Sequence, residues 1–152
     1  MAKLLFKGNL TKHFSIAEYT IENTSDCYLT EKAYLQALML EEFRQWFDKP
    51  MIVTSWYRSA ALNKSKNGIP TSNHLTGCAT DWHISGIKIT KALFIKYAKK
   101  WRKICKAHGV IGEAGLYKWG IHFGSSITYS KSFTHWDCRT GKQINNPFEE
   151  LL

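Results

Sequence analysis

The first strong hydrophobic pattern in the chain is helical and begins near Thr30, a suitable N-cap. Glu42 is the one polar residue in an apolar stripe made by Leu35, Leu38, Met39, Phe43, Trp46 and Phe47. Lys49-Pro50 ends the pattern, because proline cannot continue a helix. We therefore predict a long helix between Thr30 and this pair.

A second long helix is predicted from Thr90 to His108, with Gly109 as its C-terminal cap. Its apolar stripe consists of Phe94, Tyr97, Trp101, Ile104 and Cys105. Its opposite face carries Lys96, Lys99, Lys100, Lys103 and Lys106. A lysine face of this kind is usually solvated, although it can also attract an anionic polymer.

Four runs of β-branched, aromatic and apolar residues predict strands, at 51–57, 78–84, 110–117 and 133–139. A short helix is expected over residues 59–66, and the Gly/Ser-rich stretch 120–132 is expected to join the last two strands. Two long helices against a small, mostly antiparallel sheet make an α+β fold. The chain of 152 residues is expected to form one domain, 1–152.

Charge is unevenly placed along the chain. Residues 1–50 carry six basic and seven acidic side chains, a net charge of −1. Residues 51–152 therefore carry +10, and the formal net charge of the chain is +9. Such asymmetry favours an anionic partner, either nucleic acid or an acidic polymer such as bacterial cell wall, but a solubilising surface explains it equally well. Because no helix-turn-helix or zinc-finger motif is present, the nucleic-acid hypothesis is the weaker one.

Targeting and redox signals are few. No apolar run approaches the roughly 20 residues of a membrane span, and the N-terminal apolar stretch is too short for a signal peptide. The four cysteines show no C-x-x-C spacing, and we expect buried, reduced thiols.

The acidic residues of the distal part are placed beside histidines. Between Met51 and Phe148 there are fifteen Lys and Arg but only three carboxylates, which are Asp81, Glu113 and Asp137. Asp81 follows Asn73-His74 closely, and Asp137 belongs to the run His135-Trp136-Asp137. Imidazole and carboxylate together are the ligands of a borderline divalent cation such as zinc, so this pattern predicts a metal site.

Three of these side chains make a plausible ligand set. His74 in a loop, Asp81 in a strand and His135 in a different strand would supply two imidazoles and one carboxylate. Three protein ligands leave a fourth position for water, which is the hydrolytic arrangement and not the closed structural one.

The chain also resembles a known family. The hallmark S-x-H-x-x-G-x-x-x-D is met by Ser72, His74, Gly77 and Asp81, and a late strand with His135-Trp136-Asp137 follows. Together with residues 55–64 and the opening segment 14–19, these positions resemble the D-Ala-D-Ala metallopeptidase family over roughly residues 13–140. That family includes D,D-carboxypeptidases and phage or bacterial cell-wall endopeptidases.

The resemblance implies zinc (Zn2+) at His74, Asp81 and His135, in a cleft on the sheet of a hedgehog/D-Ala-D-Ala peptidase-like fold. It implies that Arg58 holds the substrate carboxylate or polarises the scissile carbonyl, a task for which its planar donor fork is suited. Ser72 would help to orient the peptide.

The general base stays open. Many relatives place an acid three residues before the last histidine, but here that position is Ser132. Asp137 is the first substitute, because residues i and i+2 of a strand face the same side as each other, and Glu113 is the second. His122 and Trp136 are expected to line the substrate cleft, although His122 is as readily structural.

The resemblance implies a monomeric zinc-dependent peptidase that hydrolyses peptidoglycan peptides with metal-activated water, as a carboxypeptidase or an endolysin-type endopeptidase. With no signal peptide, it would be made in the cytoplasm and act on the cell wall after phage-type release or as a virion component. The alternative is a catalytically degenerate, zinc-stabilised cell-wall-binding or phage structural protein, which Ser132 favours.

Overall fold

In a computed structural model of the chain, two 17-residue helices cover one face of a six-stranded sheet. The structure describes residues 3–4, 8–22, 27–126 and 132–152. Helix α2 spans Glu31–Phe47 and α4 spans Lys91–Ala107. Each begins at a threonine N-cap, Thr30 or Thr90, whose hydroxyl accepts a hydrogen bond from a backbone N–H of the first turn. The threonine caps therefore start both helices close to where the sequence predicted them.

The shorter helical elements flank the functional part of the chain. They are α1 (Ile16–Tyr19), α3 (Ala60–Ser65) and two 3-10 helices, Asn73–Thr76 and Glu149–Leu151. Helix α1 begins with a capping box, in which the side chain of Ser15 accepts from the Glu18 backbone and Glu18 accepts from the Ser15 backbone.

The sheet has the order β3-β4-β6-β5-β7-β8. Its strands are β3 (Ile52–Ser55), β4 (Ala79–His83), β5 (Ile111–Leu116), β6 (Ile121–Ser126), β7 (Thr134–Asp137) and β8 (Ile144–Asn145). All neighbouring strands are antiparallel except β5 and β7, which are parallel. A separate two-stranded sheet pairs β1 (Lys3–Leu4) with β2 (Tyr28–Leu29). The α+β class and the mostly antiparallel sheet are confirmed.

Strand β6 corrects one sequence prediction. Residues 120–132 were expected to form a joining stretch, but Ile121–Ser126 pairs with both β4 and β5 in the middle of the sheet. Residues 127–131 of the same stretch lie outside the described part of the chain. The Gly and Ser content that suggested a loop therefore belongs partly to a central strand.

The two faces of the sheet differ in chemistry. Trp82 and Phe123 point towards the helices, where Phe123 stacks on Trp101 with ring centroids 4.7 Å apart and meets Phe43 edge-on at 4.9 Å. Burying such a side chain contributes on the order of 1.5–3 kcal/mol. Since side chains alternate along a strand, Asp81 and His83 of β4 and His122 of β6 point to the other face. The sheet thus separates the aromatic core from the polar face.

The cysteines are free thiols. Cys27, Cys78 and Cys105 are buried, and Cys138 is half-buried. Burial raises the pKa of Cys27 to about 12, so its thiol stays protonated. None of the helices in the described part of the chain has the length and apolar character that crossing a membrane requires.

Candidate metal centre

Two imidazoles and a carboxylate converge on the polar face of the sheet. His74, Asp81 and His122 each offer one ligand atom, and these atoms all lie within 4.8 Å of one another. The Oδ1 atom of Asp81 is 3.4 Å from His74 Nε2 and 2.9 Å from His122 Nδ1. All three side chains are buried, so they form a dense group of donors withdrawn from solvent.

The 3-10 helix Asn73–Thr76 carries the first of these histidines. Its N-cap Ser72 accepts a hydrogen bond from the backbone N–H of His74 at 3.2 Å, and Gly77 ends the helix in the left-handed region with φ 73°. The Nδ1 atom of His74 is 2.6 Å from the carbonyl oxygen of Trp56. Because a carbonyl can only accept, Nδ1 donates to it, and Nε2 is the ring nitrogen that faces Asp81.

Sheet register brings the other two side chains together. Asp81 on β4 and His122 on β6 are direct cross-strand partners, so they point to the same face. Burial alone would raise the pKa of Asp81, but the His74 and His122 imidazoles hold it below its ordinary value. The Asp81 carboxylate is therefore ionised and suited to a cation.

The pKa of His122 is raised, whereas that of Asp81 is lowered. Burial would lower the pKa of His122, but hydrogen bonds to Asp81 and Glu113 raise it above its ordinary value. The Oε2 atom of Glu113 lies 2.6 Å from His122 Nε2, and its Oε1 atom accepts from the Asn73 amide at 2.5 Å. A proton and a cation thus compete for Nδ1 of His122, while Glu113 engages the other ring nitrogen.

Arg58 borders the group on the side of strand β3. Its Nη2 atom is 3.4 Å from Asp81 Oδ2, and its Nε atom donates to Glu22 at 3.1 Å. Glu22 also binds Lys66 at 2.5 Å and accepts from Ser55. Burial would raise the pKa of Glu22, but these partners lower it. The guanidinium is therefore fixed beside the donors by a charged partner.

An aromatic wall leads away from His122. The indole of Trp136 lies 5.2 Å from the His122 ring and donates to the Tyr117 hydroxyl at 2.9 Å. Tyr117 in turn stacks on Trp119, which is 46% exposed. The Trp136 indole lies over Gly115, where any Cβ would overlap Nε1. Trp136, Tyr117 and Trp119 connect the buried donors to the surface.

A family model described as Peptidase M15 matches residues 12–122. The chain belongs to the peptidase M15 family. This confirms the resemblance to D-Ala-D-Ala metallopeptidases. The matched stretch contains His74 and Asp81 and ends at His122. No curated protein and no solved structure matches the chain.

The structure corrects the expected third ligand. His135 on β7 is the register partner of Ala114, which itself pairs with Phe123, so its side chain shares the face that the helices cover. There its Nε2 atom accepts from the Phe148 backbone N–H at 2.9 Å, and its ring stacks on Phe148. In the M15 fold of this chain, His122 takes the place beside His74 and Asp81 that His135 was expected to fill.

Asp137 is corrected for the same reason. It does point with His135, as the i, i+2 rule requires, but both face the helix side of the sheet. Four hydrogen bonds from Arg139, three from its guanidinium and one from its backbone N–H, engage the Asp137 carboxylate at 2.8–3.1 Å and lower its pKa. Of the two expected bases, only Glu113 contacts the donor group.

The structure brings six of the expected site residues into one cluster: His74, Asp81, Glu113, Arg58, Trp136 and His122. Ser72 supports the backbone of His74 and does not itself contact the donor atoms by any hydrogen bond described here. His122 was expected in the cleft and not as a donor. The signal that could have identified it was its position in a β-branched and aromatic run, Ile121-His122-Phe123, which is a strand and not a linker.

The donor set fits a zinc ion. Two imidazole nitrogens and one carboxylate oxygen are a common three-ligand zinc set. His74 directs Nε2 at the group because its Nδ1 contacts the Trp56 carbonyl, and His122 directs Nδ1 at Asp81 because its Nε2 contacts Glu113. Partners at the second ring nitrogen are what metal-binding histidines usually have.

Proposed function

We propose that the chain is a zinc-dependent peptidase that hydrolyses the peptides of peptidoglycan. The observation that carries this proposal is the convergence of His74, Asp81 and His122 within 4.8 Å, in a chain of the peptidase M15 family. Zinc bound by these donors would lower the pKa of a water molecule towards 7 and polarise the scissile carbonyl. The rest of the chemistry belongs to the surrounding side chains.

Arg58 is proposed to stabilise negative charge on the substrate. Its guanidinium lies at the rim of the donor group, and Glu22 and Ser55 hold its Nε side. That leaves the Nη side directed towards Asp81 and the cluster. A fixed cation there can bind a peptide carboxylate or the oxyanion that develops during attack.

The aromatic wall is proposed to hold the peptide. Trp136 presents its ring beside His122 and is itself fixed by its hydrogen bond to Tyr117. A peptide that lies along Trp136 and Tyr117 would have its scissile bond at the donor group. Whether the bond is terminal, as for a carboxypeptidase, or internal, as for an endolysin-type endopeptidase, is decided by what closes the far end of this path.

The setting of the activity is also a proposal. The +10 charge of residues 51–152 favours attraction to an anionic cell wall, and the family's substrates are wall peptides. We propose that the protein is a monomer that acts on the cell wall, either after phage-type release or as a virion component.

A catalytically degenerate zinc-stabilised binder remains the second candidate. Two observations favour it: Ser132 stands where many relatives have an acid, and both oxygens of Glu113 already accept hydrogen bonds. Zinc would then contribute to folding and wall binding without cleavage.

One experiment separates these possibilities. Purified protein is titrated with zinc and then incubated with peptidoglycan, whose released peptides are identified by mass spectrometry. We expect stoichiometric zinc binding, chelator-sensitive cleavage and new peptide termini that identify the bond. His122→Ala should abolish zinc binding, whereas His135→Gln, which keeps an acceptor for Phe148, should retain it. Zinc binding without any cleavage product would favour the binder. If His135→Gln loses zinc binding while His122→Ala keeps it, the proposed donor set is refuted.

A further inference from the structure

The carboxylate of Glu113 connects the two ligand-bearing elements. Its Oε2 atom is 2.6 Å from Nε2 of His122 on β6, and its Oε1 atom is 2.5 Å from the side-chain amide of Asn73. Asn73 is the residue before His74, at the start of the 3-10 helix. One side chain on β5 therefore contacts both the strand that carries one histidine and the helix that carries the other.

Gly124 on the neighbouring strand β6 leaves space for the Glu113 side chain. Glu113 is the register partner of Gly124, and a Cβ at position 124 would lie 2.6 Å from Glu113 Cγ and 2.7 Å from its Cδ. Glycine inside a central strand is unfavourable and often marks a close approach of another group. Here the group that approaches is the Glu113 carboxylate, which lies across the strand towards His122.

The geometry at His122 determines which nitrogen is available. A carboxylate oxygen at Nε2 accepts a hydrogen bond, so it favours a proton on that nitrogen. The Nδ1 atom, 2.9 Å from Asp81, is then the nitrogen whose proton a cation would displace. In His74 the two ring nitrogens have exchanged roles: the Trp56 carbonyl contacts Nδ1, and Nε2 faces the donor group. Each histidine is thus oriented by one outer acceptor.

Both oxygens of Glu113 are engaged in this way. A proton acceptor for the attacking water must direct a lone pair at the nucleophile, whereas the observed contacts direct one lone pair of each oxygen at Asn73 and His122. The contacts of Glu113 are instead those of a carboxylate that orients a ligand histidine.

We propose that Glu113 is a positioning residue for His122, that Asn73 anchors it, and that Gly124 makes room for it. The proposal rests on the proposed function, because it assumes that the cluster binds zinc. It assigns Glu113 the role of setting zinc affinity, not that of accepting the proton of the water.

The test measures zinc affinity by competition with a chelating dye. Glu113→Ala should weaken zinc binding by roughly 10–100-fold, which is the usual effect of losing an outer partner of a ligand histidine. Glu113→Gln should stay within a few-fold of wild type, because its amide oxygen still accepts from Nε2–H while Asn73 can turn its own oxygen to the new amide. Glu42→Ala is the matched control, since Glu42 pairs with His108 at the surface and should leave affinity unchanged.

Gly124→Ala provides a second, independent perturbation. Its Cβ displaces the Glu113 side chain without changing its chemistry, so zinc affinity should fall as in Glu113→Ala. Added to Glu113→Ala, it should have almost no further effect, because the group it displaces is already gone. Circular dichroism and thermal unfolding in chelator confirm that each variant folds.

Two results would overturn the inference. In one, Glu113→Ala binds zinc as tightly as wild type. In the other, Glu113→Gln binds zinc normally but loses cleavage about 100-fold or more at saturating zinc, which identifies Glu113 as the proton acceptor. Failure of the wild-type protein to bind zinc is a different result, which refutes the proposed function itself.

Discussion

The pair formed by the half-buried His13 and the buried Glu41 should make the fold sensitive to acid. Glu41 lies on the buried side of α2, where its two oxygens contact the backbone N–H of His13 at 2.7 Å and the His13 ring at 2.6 Å. Burial alone would raise the pKa of Glu41, but the hydrogen bonds from His13 lower it from 4.5 to about 2. The informative change is therefore Glu41→Gln, which keeps the shape and removes the charge.

The size of the effect follows from this shift. A folded-state pKa below the unfolded value gives stability that is present above pH 4.5 and is lost as pH falls towards 2. The difference between a pKa of 4.5 and one of about 2 corresponds to about 3 kcal/mol. The free energy of unfolding of wild type should therefore fall by about 3 kcal/mol more than that of Glu41→Gln between pH 5 and pH 2.

Urea unfolding at several pH values, in chelator, measures this difference. Other carboxylates titrate in both proteins, so their contributions cancel in the comparison. Glu42→Gln is the matched control: its carboxylate also contacts a histidine, His108 at 3.0 Å, but it is half exposed and should be worth no more than about 1 kcal/mol. Parallel pH profiles for wild type and Glu41→Gln would refute the reasoning.

Three further predictions concern the candidate site. Asp81→Asn should weaken zinc binding by more than the roughly 100-fold expected for an outer partner, as dye competition would show; an unchanged affinity would exclude Asp81 as a ligand. Gly115→Ala should displace the Trp136 indole, cost about 1–3 kcal/mol in urea unfolding and lower cleavage while zinc affinity is kept; wild-type cleavage would argue against the aromatic wall. Asp137→Asn should keep cleavage of peptidoglycan within a few-fold of wild type, because its carboxylate faces the helix side of the sheet, and a large loss would restore it as the base.

The helices and the first two donors were predictable because their signals are local. Threonine caps and a 3.6-residue period mark α2 and α4, and the spacing of His74 and Asp81 is short enough to be recognised in one stretch of chain. The family resemblance rests on the same local spacing, and it was confirmed.

The third donor was not predictable in this way, because it depends on strand order. Four histidines follow Asp81 in the chain, and two of them, His122 and His135, lie in later strands. Only the sheet topology shows that β6 lies beside β4, whereas β7 lies two strands further away and is parallel to β5. The face of each side chain then follows from the register, and a change of one residue reverses it.

Strand β6 was missed for a reason that is connected with the site. Gly124 weakens the strand signal, and it is glycine because the Glu113 carboxylate lies across it. The local rule for strands thus fails where the packing of a polar side chain needs space.

His122 is distant in the chain from His74 and Asp81, with α4 and β5 between the strands β4 and β6. Until β6 has docked beside β4, an unfolded or half-formed chain holds no preassembled cage for an ion. Zinc should consequently associate only late on the folding pathway, leaving the refolding rate almost unchanged while it slows unfolding. In a cell, metal supply would then decide how long the folded protein lasts, and not how quickly it forms.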